Sequence, residues 1–285
     1  MNENLILNEC PRDAMQGLAH FVPTETKIKY INALLQVGFN RLDFGSFVSP
    51  KAIPQLRDTS EVIGKLNLSQ TKTSLLAIIA NLRGAEQATE FDEVKYVGFP
   101  LSISKEFQIR NTNKSIEEAI EEIGKIQNLC LIRGKNLVVY LSMAFGNPYG
   151  ESHSPEIVIS LGQKMIDLGI KELSVSDTVG LAKPEEVKSL FQMASKHWTD
   201  VDITAHLHAN PIHSTSKIEA AWAGGCHRFD VALGGYGGCP MAEDELVGNI
   251  STERMLDWAK TQSLKTGLNL AKLGLAYDML IDVFH

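Results

Sequence analysis

Residues 204–213 read TAHLHANPIH, and inside that stretch His206 and His208 stand one residue apart at the end of an apolar run, in a chain that holds eight histidines. On a strand, alternate side chains share a face, so both imidazoles project to one side while Leu207 packs the other way. Two imidazoles at that spacing form a two-toothed grip for a metal ion. With oxygen ligands and water completing the shell they suit Mg²⁺ or Mn²⁺, and zinc stays open because histidine suits it too. Taken alone, the pair reads equally as one hydrogen-bonded core histidine and one surface histidine. The case for a metal rests on what else gathers near it.

Arg12 and Asp13 of CPRDAMQG, Asp43 of NRLDF, Ser142 of YLSM, Asp177 and Thr178 of SVSDTVG, and the turn GGYGGCP with Cys239 all fall just after, or at the end of, a candidate strand. Asp13 is a carboxylate able to complete a metal shell. A guanidinium fixed beside a metal stabilises an oxyanion developing on a bound carbonyl, and Asp43 on the neighbouring strand is placed to hold Arg12. Read without chemistry, Arg12 and Asp13 simply cap a loop at a rim. The glycines around Cys239 leave backbone amides bare and let a loop close over a ligand, and a thiol there passes a proton or attacks a carbon. The plain alternative is a turn with a small buried cysteine.

The elements that must position these residues follow from a repeated pattern: a helical apolar periodicity, a glycine, then a short run rich in β-branched or aromatic residues. KYINALLQVG precedes FNRLDFG, IVISLGQKMIDLG precedes IKELSVSD, and KIEAAWAGG precedes CHRFDVALGG, with Gly38, Gly169 and Gly224/Gly225 where each helix must stop. Eight strands result: NLILNE, FNRLDF, SLLAII, EVKYVGF, LVVYLSM, KELSVS, DITAHL and RFDVAL. Eight alternating with helices predicts a single-domain (β/α)8 TIM barrel over residues 1–285, an α/β fold whose chemistry sits on the loops leaving the C-terminal ends of the strands. A doubly wound sheet would want a glycine-rich phosphate fingerprint after its first strand, and CPRDAMQG stands there instead. TGLNLAKLGLAYDMLIDVFH has helical spacing and is expected as one closing helix.

With 285 residues, 44% of them hydrophobic, the chain can bury one large core. A net charge of −7 argues against a basic face for nucleic acid or an anionic membrane, and favours a small-molecule partner. No apolar run is long enough to span a bilayer and MNENLILNECPRD lacks the marks of an export signal, so a soluble, cytoplasmic protein is expected. Cys10, Cys130, Cys226 and Cys239 lie far apart without CxxC spacing and are expected as free thiols.

CPRDAMQG, DFGSFVSPKAIPQLRD, YLSMAFGNPYG, SVSDTVG, AHLH, GGYGGCPMA and GNISTE together resemble the 3-hydroxy-3-methylglutaryl-CoA lyases, divalent-metal lyases of the DRE-TIM metallolyase superfamily, from about residue 5 to the last helix. The resemblance implies Asp13, His206, His208 and Asn249 as metal ligands. It implies Arg12 as stabiliser of the departing enolate, Cys239 as the thiol serving that carbanion, Asp43 as the holder of Arg12, and Asp177 as an aid to proton transfer. An acyl-CoA substrate, Mg²⁺ or Mn²⁺, a homodimer, and a place in leucine breakdown or ketone-body formation follow on the same footing. Lys51 and Ser49 of SPK lie on a rim loop suited to CoA. Related condensing synthases of the isopropylmalate and homocitrate type share the HxH and the Arg-Asp pair, and a metal-binding barrel without efficient turnover is the reading outside enzymes. The chain departs from the family in three places: Ala209 stands where an acidic residue usually follows the second histidine, Asp43 where many members have glutamate, and PMAEDELVG is one residue longer. A lost carboxylate beside a metal ligand commonly costs about ten- to a hundredfold in metal affinity or activity.

Overall fold

All eight runs form parallel strands of one closed barrel, joined in chain order, the last pairing back to the first. They are β1 (Ile6–Glu9), β2 (Arg41–Ser46), β3 (Ser74–Ile78), β4 (Val94–Ser102), β5 (Asn136–Ser142), β6 (Glu172–Asp177), β7 (Asp202–Leu207) and β8 (Arg228–Val231). The helices are α1 (Pro11–Gln16), α2 (Thr24–Leu35), α3 (Thr59–Ile63), α4 (Leu82–Thr89), α5 (Lys105–Thr112), α6 (Ile116–Arg133), α7 (Pro155–Asp167), α8 (Pro184–His197), α9 (Pro211–Ala223), α10 (Thr252–Thr261), α11 (Leu270–Asp278) and α12 (Leu280–Phe284). The computed structural model describes residues 4–238 and 247–285. The architecture is the (β/α)8 barrel that the alternation of elements predicts.

β2 and β6 are buried at every position, since one face lines the lumen and the other lies under helices. The outward face joins the helices in one large core that includes Phe39, Phe99, Phe191, Phe229 and Trp198. The lumen is unlike it: ionisable side chains stand on β2, β6, β7 and β8, whereas β3 and β5 contribute a separate apolar cluster of Leu76, Ile78, Val138 and Tyr140.

Local signals explain where helices start and stop. Ser115 and Glu118 form a reciprocal capping box at the start of α6, and prolines open α7, α8 and α9. Gly38 and Gly169 adopt φ of +95° and +87° at the returns into β2 and β6, a region costly for any residue with a Cβ. The expected single closing helix is instead two, because the Met279 N–H bonds the Ala276 carbonyl at 3.2 Å, a tighter turn that separates α11 from α12. Both pack against α2. Glu9, fully buried at the end of β1, accepts from the Leu233 N–H and the Thr252 hydroxyl at 2.6 Å each, tying the first strand to the segments after β8.

Candidate active site

Arg12 and Asp13 sit on α1, a short helix begun by Pro11 directly after β1, rather than on an open loop. Asp13 in its first turn also suits the positive end of the helix dipole. Arg12 is buried and its guanidinium is gripped from two sides. Asp43 on β2 takes Nε at 2.9 Å and Nη2 at 2.5 Å, while Nη1 donates to Asp13 at 3.0 Å and to Gln16 Oε1 at 2.7 Å. The aspartate at position 43 therefore reaches the arginine without the extra methylene of glutamate. Of five guanidinium N–H groups, one on Nη2 is left uncommitted among the described residues. Burial alone would lower the Arg12 pKa, but Asp43 and Asp13 raise it further above its ordinary value, so the group stays charged. Burial pushes the Asp43 carboxyl up to about 6, against the pull of Arg12.

His206 and His208 lie at the C-terminal end of β7 and point into the lumen mouth, with Nε2 facing Nε2 at 3.2 Å. Asp13 Oδ2 stands 3.7 Å from His208 Nε2. Leu207 between them packs in the outer core. The backbone around Asn249 runs beside this end of the barrel: the Ala209 N–H bonds the Gly248 carbonyl and the Ile250 N–H bonds the Leu207 carbonyl, which carries Asn249 alongside His208. The Asn249 amide donates to Asp13 Oδ2 at 2.7 Å. Gly237 passes so close that a Cβ there would stand 2.4 Å from Asn249 Nδ2 and 3.2 Å from Asp13 Oδ2, so the glycine turn is shaped against these two side chains.

The described residues fit a metal. Among the described residues, no donor reaches the buried Asn249 Oδ1, and the ligating atoms of Asp13, His206 and His208 all lie within 4.8 Å of one another. One carboxylate, one amide oxygen and two imidazoles suit a divalent cation of the Mg²⁺, Mn²⁺ or Zn²⁺ type. Burial opposes charge on Asp13, yet Arg12, the two imidazoles and the Asn249 amide hold its carboxyl well below the usual carboxylate range. Burial, with His206 beside it, pushes His208 down to about 4, which keeps it neutral.

Two residues outside the motifs hold the histidines in place. Asp230 on β8 accepts from His206 Nδ1 at 3.1 Å; it also takes the Asn8 amide at 2.8 Å, and Asn8 in turn takes the Asn40 amide at 3.1 Å. Burial alone would lower the His206 pKa, but the Asp230 bond raises it. Lys217 on α9 reaches the His208 carbonyl at 2.9 Å, the Gly180 carbonyl at 2.9 Å and Asp177 at 2.6 Å. Asp177, expected at the site, is not brought to it. Its register partner is Leu207, so like Leu207 it faces the helices, whereas Ser176 pairs with His206 and lines the lumen. Ala209 is buried, and the backbone it anchors is held by Lys217 rather than by an adjacent carboxylate. Asp230 was signalled by an isolated carboxylate in the apolar run RFDVAL; no local signal marks Lys217, because its role depends on the face of α9 that lands behind His208.

A cavity of about 440 Å³ opens over this cluster. It is lined by the polar side chains of Arg12, Asp13, Gln16, Ser142, Ser176, Thr178, His206 and His208, by Arg110 and Asn111, and by Val48, Ala52, Ile53, Ile78, Pro100, Phe107 and the Tyr140 ring. Ser49 and Lys51 lie on the same rim loop as Val48 but do not line the cavity. Cys239 lies outside the described residues.

A family model described as HMGL-like matches residues 5–280. The chain belongs to the HMGL-like family. The (R)-citramalyl-CoA lyase of Chloroflexus aurantiacus is 31% identical over 284 residues, covering 96% of this chain and 89% of that protein. The hydroxymethylglutaryl-CoA lyase YngG of Bacillus subtilis is 32% identical, covering 92% of this chain and 87% of its own. A solved HMG-CoA lyase from Acinetobacter baumannii, in complex with coenzyme A and 3-methylmalate, matches 100% of this chain and 93% of its own with a TM-score of 0.93 at 31% identity. The HMGL-like family is one of metal-dependent lyases, and the Asp13, His206 and His208 cluster offers the corresponding place for an ion. Among the described residues no helix is long and apolar enough to cross a membrane.

Proposed function

We propose that this protein is an acyl-CoA lyase that breaks a carbon–carbon bond of a 3-hydroxy-3-methylglutaryl-CoA-type thioester, releasing acetyl-CoA and acetoacetate. The observation that carries the reading is the clamped guanidinium of Arg12 beside the Asp13, His206, His208 and Asn249 cluster, in one cavity. Those four residues would hold Mg²⁺ or Mn²⁺, which when bound lowers the pKa of the substrate's tertiary hydroxyl and fixes a carboxylate oxygen. Arg12 serves the other fragment. Cleavage leaves an electron pair on the acetyl carbon, delocalised onto the thioester oxygen, and the uncommitted Nη2 N–H meets that oxygen where little water competes.

Asp43 fixes the guanidinium plane by taking Nε and Nη2 together, so the donor is oriented before the charge develops. A base takes the tertiary hydroxyl proton as the carbon–carbon bond breaks and the ketone forms, and Cys239 is the thiol assigned to give a proton to the acetyl carbanion. Asp177, through Lys217, positions the His208 backbone and takes no part in proton transfer. A cytoplasmic homodimer acting in leucine breakdown belongs to the same proposal, with the resemblance as its support.

Cleavage of (R)-citramalyl-CoA to acetyl-CoA and pyruvate is a second reading, favoured by the 31% identity to a citramalyl-CoA lyase over 96% of this chain. The two differ in the ketone released. Purified protein with Mn²⁺, given each thioester in turn, is expected to release acetoacetate from the first; pyruvate from the second alone would transfer the assignment. Neither product, with Mn²⁺ demonstrably bound, would remove the lyase reading.

A further inference from the structure

The lumen mouth is divided by charge. β1, β2, β7 and β8 bring Arg12 and Asp13 on α1, Asp43, His206 and Asp230 to one arc. The arc of β3, β4 and β5 presents Ile78, Pro100 and Tyr140 to the cavity, which Val48 and Phe107 also line; the polar members on this side are Ser142 at the end of β5 and Arg110 and Asn111 on α5. That this arc lies level with the reacting groups is fixed by Tyr140, whose ring meets the His206 ring edge-on with centroids 5.7 Å apart. Gly98 makes the arc continuous: a Cβ there would stand 2.6 Å from Ile78 and 2.9 Å from Tyr140, so those side chains already close over β4.

The cations near this wall are occupied. Arg12 is held by Asp43 and Asp13; Arg41, lower in the lumen, is ion-paired with Glu172 and covers the Tyr96 ring; Arg110 at the rim bonds Glu106 and lies over Tyr149. A carboxylate directed at Ile78 would be stripped of water with no partner, whereas an alkyl group would gain from burial.

We propose that the β3–β5 arc is a specificity wall that takes an apolar substituent on the hydroxyl-bearing carbon of the substrate and favours substituents longer than methyl. A methyl group alone leaves most of a surface running from Val48 through Ile78 to Tyr140 uncovered. The proposal rests on the acyl-CoA lyase reading, and its test separates the two.

Mn²⁺-loaded protein is titrated by calorimetry with 2-methylmalate, 2-ethylmalate and 2-propylmalate, which share the hydroxyl and carboxylates and differ in alkyl length. Affinity should rise about fourfold per methylene. In Ile78→Phe, and separately in Val48→Phe, the gradient should flatten or reverse while Mn²⁺ affinity is unchanged. A flat or falling series in the unaltered protein, no binding of any of the three, or a gradient that survives both substitutions would overturn the wall. Turnover of the matching CoA thioesters reports on the reaction alone: an affinity gradient without cleavage keeps the wall and removes the lyase reading, and cleavage without a gradient does the reverse.

Discussion

Arg12 has a local environment that lysine cannot reproduce: three partners arranged around one planar fork, leaving a single N–H for a ligand. Arg12→Lys should lower kcat at least about a hundredfold, the usual consequence of losing a donor to a developing oxyanion, while Mn²⁺ affinity changes by less than about threefold. Near-normal turnover would exclude the enolate role. Asp230 makes the complementary prediction. Because it fixes the His206 ring through Nδ1, Asp230→Ala should weaken Mn²⁺ binding about ten- to a hundredfold in a titration that needs no substrate. Unchanged affinity would show that the ring is held by packing alone. Arg12, Asp13, Asp43, His206 and His208 stand out by residue type and by their place at strand ends, whereas Asn249 is marked only by the family resemblance, since nothing local distinguishes the asparagine of GNISTE as a ligand. Asp177 was misplaced because its face depends on register with β7, and Lys217 went unseen because only tertiary packing brings α9 behind His208.

Helices and strands were legible for a physical reason: the barrel alternates two periods, 3.6 and 2, with glycines at the returns, so each element announces its own boundaries. What that periodicity does not contain is how tightly neighbouring helices approach. Gly162 on α7 faces Trp198 at the end of α8, and a Cβ there would stand 2.2 Å from the indole ring. The indole is buried and cannot swing into solvent. Gly162→Ala should therefore destabilise the protein by about 1–3 kcal/mol in urea unfolding, despite the higher helix propensity of alanine, without altering metal affinity. A gain in stability would mean that α7 and α8 can separate freely. The break at Met279 belongs to the same class, since the apolar spacing of the last twenty residues runs through it without interruption.

Closing the barrel places a carboxyl group where none would be expected to ionise easily. Burial pushes Glu9 from 4.5 up to about 8, against the Thr252 and Leu233 hydrogen bonds and with the help of nearby Glu253. The unfolded chain gives up this proton near pH 4.5 while the folded barrel keeps it until about pH 8, so the contribution is full below pH 4.5 and is lost as the pH rises to 8. Glu9→Gln should lessen the fall in stability between pH 5 and pH 9, by more than about 1 kcal/mol since a single pKa unit is worth about 1.4. Denaturant titrations with the same pH slope in both proteins would contradict the burial argument. The variant can retain both contacts, with its amide oxygen accepting from Leu233 and its amide nitrogen donating to Thr252.

Whether the polar arc of this barrel splits an acyl-CoA is decided by following ketone release from 3-hydroxy-3-methylglutaryl-CoA with Mn²⁺ present and then chelated. Acetoacetate and acetyl-CoA are expected in equal amounts, lost on chelation and restored by added Mn²⁺. Intact thioester in the presence of bound Mn²⁺, with (R)-citramalyl-CoA also left whole, would contradict the lyase reading.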